Sequence, residues 1–328
     1  MQKTRLNWID VAKGILILMV VYGHIYWVLS KILFIKNVAL EDYGNIQNIW
    51  IAFYMPAFFM LTGYVSSFKK PFLPFLRKQL KTLILPAISL FALSQILTFL
   101  FYDGNFSLGI IGAIKGQGFW FLYALFVAKI LYYFIDKIKT PKVHAIFVVV
   151  LYLIGILLEN FNVLEFWSYQ HAFLLLPSLA FGCWMKKVEK WNSLVIVSVL
   201  IYIATLLYYL LFQYKIPRVT GGIFLPITAC LPYLLLSTCG TIFYLWCCKG
   251  INKNRILEYL GQNSLVIYCI HVAVIKIAGK HLMMYIPHLG YISMALCYIA
   301  ILIFSVCISV LFAEFLNRTK LKILIGKF

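Results

Sequence analysis

Acidic residues are scarce in this chain, which has 10 Asp and Glu against 29 Lys and Arg in 328 residues. Every acid lies at the end of a predicted helix or in a predicted loop. Proton-coupled transporters commonly place Asp or Glu in the middle of a membrane span as a proton relay. This absence weakens a transport function, although it does not exclude one.

Charge of either sign is also rare, because charged residues make up 12% of the chain, hydrophobic residues 63% and aromatic residues 17%. Soluble domains contain about 25% charged residues, so an ordinary soluble fold is excluded. The composition predicts an all-α polytopic membrane protein. The net charge of +19 is explained by basic inner loops that face anionic lipid headgroups. We therefore expect membrane lipids, and no nucleic acid, as partners.

Common catalytic motifs are missing as well, since the chain has no H-E-x-x-H, C-x-x-C, G-x-S-x-G or P-loop pattern. Those patterns would indicate a metal, redox, hydrolase or nucleotide-binding site. The 8 cysteines lie in or beside apolar segments, and we interpret them as small buried side chains. We expect no metal, and a single transmembrane domain over residues 1–328 without a fused soluble domain.

Ten apolar segments are predicted to span a bilayer, which takes about 20 residues, although the fifth and sixth segments are short. They are predicted at residues 14–34, 49–67, 82–102, 117–135, 143–159, 171–185, 193–213, 223–248, 264–280 and 290–313. Nine or eleven spans are the alternatives, and the eighth segment could be broken near Pro226 or Pro232. Most Lys and Arg fall on one side of this topology, so the positive-inside rule places both termini in the cytoplasm.

The first apolar segment, "KGILILMVVYGHIYWVLS", carries one histidine, His24, near its middle. Lys13 lies eleven residues earlier, which on a helix is about 16 Å along the axis and about 20° around it. A cation at the cytoplasmic mouth and a base deeper in the membrane could hold an anionic donor and act on its far end. The alternative is a histidine satisfied by a neighbouring helix and a lysine that only anchors the topology.

Three other groups of residues are candidates for the functional site, and each also has an ordinary structural explanation. Asp10 lies about 21 Å from His24 on the same helix, so a helix cap or first-turn acid is favoured over a catalytic role. Lys78 and Lys81, beside Arg77, are three residues apart and would share a helical face that grips phosphates, or they are ordinary inner-loop charge. His271 either lines the same cavity as His24 or is a packed core residue.

Five sequence segments follow one another along the chain in this order: "RLNWIDVAKGILILMVVYGH", "FYMPAFFMLTGYV", "LKTLILP", "FWFLYALF" and "LEYLGQNSLVIYCIH". Together they resemble the acyltransferase-3 family of membrane proteins, in particular its fucose 4-O-acetylase-like branch. The resemblance implies about ten transmembrane helices. It also implies transfer of an acetyl group from cytoplasmic acetyl-CoA to a hydroxyl of a cell-surface polysaccharide or its lipid-linked precursor.

The family's first-helix signature, a basic residue, ten others and then a histidine, matches Lys13 and His24. The resemblance thus implies that His24 is catalytic, as the base that deprotonates the acceptor hydroxyl or as the group that briefly carries the acetyl. The family's Arg-x-x-Arg is here Lys78-x-x-Lys81, and lysine lacks the bidentate fork of arginine. We expect four residues to bind coenzyme A: Lys13, Arg77, Lys78 and Lys81. We expect five to line the cavity: Asp10, Trp120, Asn263, Ser264 and His271.

The expected partner is a glycan or lipid-linked glycan acceptor, and self-association into a homo-oligomer is left open. The expected location is the cell membrane, as a multi-pass protein of a bacterial plasma membrane. Two other functions stay in view. One is an exporter of a glycan or acylated intermediate in exopolysaccharide assembly, and the other is an acetyl- or succinyltransferase that acts on small molecules.

Overall fold

The apolar segments form helices in the computed structural model, which describes residues 6–102, 111–116, 118–160, 166–188, 192–212, 227–251 and 253–327. Within these ranges the regular structure is helical and contains no strand. We number the helices α1 Asn7–Trp27, α2 Val38–Asn45, α3 Tyr54–Val65, α4 Phe72–Gln79, α5 Leu85–Tyr102, α6 Trp120–Ile135, α7 Pro141–Asn160, α8 Tyr169–Met185, α9 Asn192–Leu211, α10 Ile227–Ile251, α11 Arg255–Gln262, α12 Ser264–Leu282 and α13 Tyr291–Arg318.

Among the described residues, 8 helical segments are long and apolar enough to cross a membrane. They are Asn7–Ile32, Val38–Val65, Phe72–Tyr102, Pro141–Glu159, Leu194–Leu211, Cys230–Ile251, Ser264–Leu282 and Tyr291–Arg318. The shorter helices α6, of 16 residues, and α8, of 17 residues, occupy the predicted fourth and sixth spans. The prediction of an all-α polytopic membrane fold is confirmed. The number of ten spans and the cytoplasmic termini stay predictions.

Proline does not divide the predicted eighth span where the structure describes it. Pro232 lies inside α10, which continues to Ile251, because an apolar environment and neighbouring helices tolerate a proline within a transmembrane helix. Pro226 lies outside the described residues.

The chain packs as two compact units. The first, unit 1, comprises Met1–Asn48, Leu85–Ala113 and Ile251–Phe328. The second, unit 2, comprises Ile49–Ile84 and Ile114–Gly250.

Glycines let α1 and α11 touch backbone to backbone in unit 1. A Cβ on Gly14 would overlap the carbonyl of Leu257, and a Cβ on Gly261 would overlap the carbonyl of Asp10. Small residues at such contacts allow two helices to approach more closely than larger side chains permit. This contact fixes the first half of α1, and α12 begins directly after α11.

Two asparagine caps hold the short helices of unit 1. Asn254 caps α11 by accepting a hydrogen bond from Leu257 N at 3.0 Å. Asn37 caps α2 by accepting from Leu40 N at 3.0 Å, and its amide donates to the carbonyls of Ile286 and Leu289 at 3.0 Å each. The Asn37 side chain therefore joins α2 to the connection between α12 and α13.

In unit 2, glycines likewise allow a close contact between α3 and α8. A Cβ on Gly63 would meet the carbonyl of Leu179, and a Cβ on Gly182 would meet the carbonyl of Met60. Because these glycines are spaced to face each other's helix, α3 and α8 pack in direct backbone contact.

Candidate active site

Two histidines within the spans of unit 1 lie side by side. His24 on α1 and His271 on α12 have ring centroids 4.8 Å apart, and their planes are inclined by 83°. His24 is half-buried, whereas His271 is only 1% exposed. The structure thus brings together the catalytic candidate and one residue that was expected to line its cavity.

Backbone hydrogen bonds fix the orientation of both rings. Nδ1 of His24 lies 2.8 Å from the carbonyl oxygen of Val20, and Nδ1 of His271 lies 2.9 Å from that of Ile267. A carbonyl oxygen only accepts, so Nδ1 must carry the proton in each ring. In a neutral imidazole the other nitrogen, Nε2, then holds a lone pair. His24 is consequently held in the tautomer that a general base at Nε2 requires.

One aromatic ring lies close to each of the two histidines. Trp27 meets His24 edge to face at a centroid distance of 5.7 Å, and the Tyr268 ring lies 6.2 Å from that of His271.

Lys13 and Asp10 lie on the same continuous helix as His24, nearer its start. Lys13 is half-buried, and the unbroken α1 keeps the predicted spacing of about 16 Å along the axis between Lys13 and His24. Asp10 is 6% exposed and sits in the first turn, while the N-cap position belongs to Leu6. The first-turn role of Asp10 is therefore right and the cap role is wrong. An acid in the first turn is favoured by the positive end of the helix dipole.

Asn263 and Ser264 lie where α11 gives way to α12. The Asn263 amide donates to the Tyr259 carbonyl at 2.9 Å, and its Oδ1 accepts from Asn317 at 3.2 Å. Ser264 is the first residue of α12, so it lies about 10 Å along that helix from His271. The contacts of Asn263 join α11, α12 and α13, which is a role in holding the helices rather than in meeting the imidazoles.

The basic cluster lies in unit 2. Arg77 and Lys78 occupy the last turn of α4, whereas Lys81 lies in a π-helical segment, Leu80–Ile84, and all three are exposed. The prediction of one shared helical face for Lys78 and Lys81 therefore stays a prediction, because the segment is not purely α-helical between them. The wider winding of a π-helix changes the angle between residues three apart.

Lys129 is a further cation in unit 2 to which the sequence analysis gave no role. It lies half-buried in the middle of α6, within reach of the like charge of Lys78. A charged residue in the middle of an apolar helix is a functional candidate by default. The signal was present in the sequence as a lone lysine within an apolar run.

Trp120 belongs to a second polar cluster, at the start of α6. Its half-buried ring lies 5.0 Å from that of His171, and His171 Nε2 lies 3.7 Å from Glu159 Oε2. These residues come from the starts of α6 and α8 and the end of α7. The sequence offered no spacing that would join them, so Trp120 was expected near His24 without its actual neighbours being foreseen.

Metal ligation finds no support in the ranges that the structure covers, because no three His, Cys, Asp or Glu side chains gather there. The described architecture defines a class, that of polytopic all-α membrane proteins. A family model described as an acyltransferase domain, that of acyltransferase-3, matches residues 6–314. The chain belongs to the acyltransferase-3 family and is a membrane acyltransferase. No curated protein and no solved structure matches it, and the fucose 4-O-acetylase-like branch stays a prediction.

Proposed function

We propose that this acyltransferase is an O-acetyltransferase. It would move an acetyl group from cytoplasmic acetyl-CoA to a hydroxyl of a cell-surface polysaccharide or its lipid-linked precursor. The observation that supports this proposal best is the His24 ring, whose Nδ1 donates to Val20 and whose Nε2 is left as a base within an apolar span.

The proposed reaction needs one base. The acceptor hydroxyl oxygen attacks the thioester carbonyl while Nε2 of His24 takes the hydroxyl proton. The tetrahedral intermediate then collapses, the C–S bond breaks, and His24 returns the proton to the departing coenzyme A thiolate. The products are an acetyl ester and free coenzyme A. In the alternative reaction, Nε2 attacks the thioester carbonyl, the C–S bond breaks and coenzyme A leaves as the thiolate. The acceptor hydroxyl then attacks the acetyl-imidazolium, the C–N bond breaks as the ester forms, and the hydroxyl proton passes by way of the freed Nε2 to the thiolate.

Basic side chains would bind the donor. We propose Arg77, Lys78 and Lys81 of unit 2 as residues that hold phosphates of coenzyme A. Lys13, on α1, keeps the coenzyme A-binding role that the family resemblance implies. The exposure of the three residues of unit 2 fits contact with a soluble nucleotide. Lysine holds phosphate as a point charge, whereas arginine adds a bidentate fork, so Arg77 would give the most directional contact.

The proposed setting follows from the distribution of basic residues. Within unit 2, Lys137 and Lys186 donate to the carbonyls of Phe68 and Ser66, which lie between α3 and α4. Several cations therefore gather around the connection between α3 and α4. By the positive-inside rule we assign it to the cytoplasm. The proposed location is a bacterial plasma membrane, with a glycan or lipid-linked glycan as the partner.

The test is transfer of radiolabel from acetyl-CoA to glycans of the host envelope by the protein in nanodiscs. Wild type is compared with His24→Ala and with His281→Ala, a matched control because His281 is an exposed histidine in the last turn of α12. We expect transfer by wild type and His281→Ala and none by His24→Ala. If none of the proteins consumes acetyl-CoA, the proposal fails and the exporter becomes the leading function.

A further inference from the structure

In the described part of the chain, one ring nitrogen of His271, Nε2, lacks a hydrogen-bond partner that would explain its burial. Buried polar atoms in folded proteins nearly always have a partner, so an exception calls for an explanation. The ring cannot satisfy the atom by changing tautomer, because that would take the proton from Nδ1 and leave the Ile267 carbonyl without its donor.

The neighbouring imidazole cannot satisfy this atom either. In its neutral form His24 also commits its proton to a backbone carbonyl, that of Val20, so its Nε2 accepts and does not donate. Two hydrogen-bond acceptors therefore lie on rings whose centroids are 4.8 Å apart. The missing component is a donor, and a hydroxyl group is the simplest donor that the proposed reaction brings to this place.

We propose that His271 is a second acceptor-binding residue. Its Nε2 accepts a hydrogen bond from a hydroxyl of the acceptor, while Nε2 of His24 takes the proton of the reacting hydroxyl. No bond forms or breaks at His271, so its part is to bind and orient the substrate. This assignment rests on the proposed function, because it names a partner for the same acceptor.

The different exposures of the two histidine rings fit these two roles, a base at His24 and a binding residue at His271. His24 is half-buried and can meet a substrate that enters, whereas His271 is 1% exposed and would act only on a group that reaches past the first ring. The bond from Nδ1 to Ile267 holds the second ring still. A fixed acceptor of this kind costs no reorientation when the substrate arrives.

Two substitutions separate the nitrogens of His271. His271→Asn keeps an amide N–H close to the position of Nδ1, and so keeps the bond to Ile267, but it places nothing at the position of Nε2. His271→Gln reaches further and places a polar group near the position of Nε2. His281→Asn, at an exposed site on the same helix, is the control.

Binding is measured without acetyl-CoA, using fluorescently labelled oligosaccharides released from the host envelope and the same sample after permethylation, which removes hydroxyl donors. We expect His271→Asn to weaken binding of the native sample about tenfold, the scale of one hydrogen bond, and His271→Gln to recover part of it. Permethylated sugars should bind wild type and His271→Asn equally. Unchanged binding by His271→Asn, or failure of that variant to fold, would assign His271 to packing and overturn the proposal.

The two proposals fail in distinguishable ways. If label transfer fails in wild type while the binding difference persists, the acetyl-transfer proposal is wrong and His271 still binds hydroxyls. If label transfer depends on His24 but His271→Asn binds like wild type, only the assignment of His271 is wrong.

Discussion

Replacing Gly14 with alanine tests the close contact between α1 and α11. The new Cβ would overlap the carbonyl oxygen of Leu257 and lie 2.9 Å from its carbonyl carbon and 3.1 Å from its Cα. Ordinary van der Waals contact begins at 3.4 Å. The carbonyl carbon alone requires the two backbones to separate by about half an ångström, and the overlapping oxygen requires more. A backbone cannot yield by changing rotamer, and the whole of α11 must therefore shift.

The cost can be bounded with a matched glycine. Overpacking of this kind costs about 1–3 kcal/mol, while alanine in a helix returns up to about 1 kcal/mol relative to glycine. Gly250, also helical, has nothing within 4 Å of its would-be Cβ. Gly250→Ala gains the helix term alone, and the difference between the two variants isolates the overlap at Leu257.

The assay is heating in detergent followed by size-exclusion chromatography of the protein that remains folded. We expect Gly14→Ala to lower the apparent melting temperature by roughly 2–10 °C relative to Gly250→Ala. If the two variants melt at the same temperature, α1 and α11 are not in backbone contact. The placement of Asp10 against Gly261 would then be wrong as well.

Three further changes have expected outcomes. Asn37→Ala should lower the melting temperature by the equivalent of about 1–2 kcal/mol, because it removes the cap of α2 and the amide's three contacts to the connection after α12. Lys81→Gln should raise the KM for acetyl-CoA and weaken its dependence on salt, since one phosphate contact is lost. Lys129→Met should raise the melting temperature, because a half-buried cation that repels Lys78 is removed.

Each of these has its own control and its own contradicting result. Asn254→Ala removes a cap without the three additional amide contacts. An equal loss in both asparagine variants would therefore contradict the role of Asn37 in joining two segments. Lys142→Met, at an exposed site, should leave the melting temperature unchanged. A lower melting temperature for Lys129→Met would show that this lysine has a stabilising partner, and an unchanged KM in Lys81→Gln would remove it from the donor site.

Single-helix geometry was predictable from the sequence. The apolar run at residues 264–280 became α12, Ser264–Leu282, and the spacing of Lys13 and His24 was kept because α1 is unbroken. The family resemblance is confirmed over residues 6–314. The two predictions about helices succeeded because the length of an apolar run and the 3.6-residue period are both properties of a single helix.

Contacts between distant parts of the chain were not predictable in the same way. Nothing in the local sequence shows that His271 meets His24, or that Trp120, His171 and Glu159 gather at the ends of three helices. The π-helical winding at Leu80–Ile84, which includes Lys81, also has no composition signal. These features depend on which helices pack together.

The most direct test of the central claim is label transfer by His24→Gln in nanodiscs, because glutamine retains polarity but cannot act as a base. If His24 is the base, transfer from acetyl-CoA to the envelope glycan should fall by about 10²–10⁴-fold, with folding and glycan binding unchanged. Transfer within a factor of two of wild type would contradict the account, and His24 would then be a packing residue.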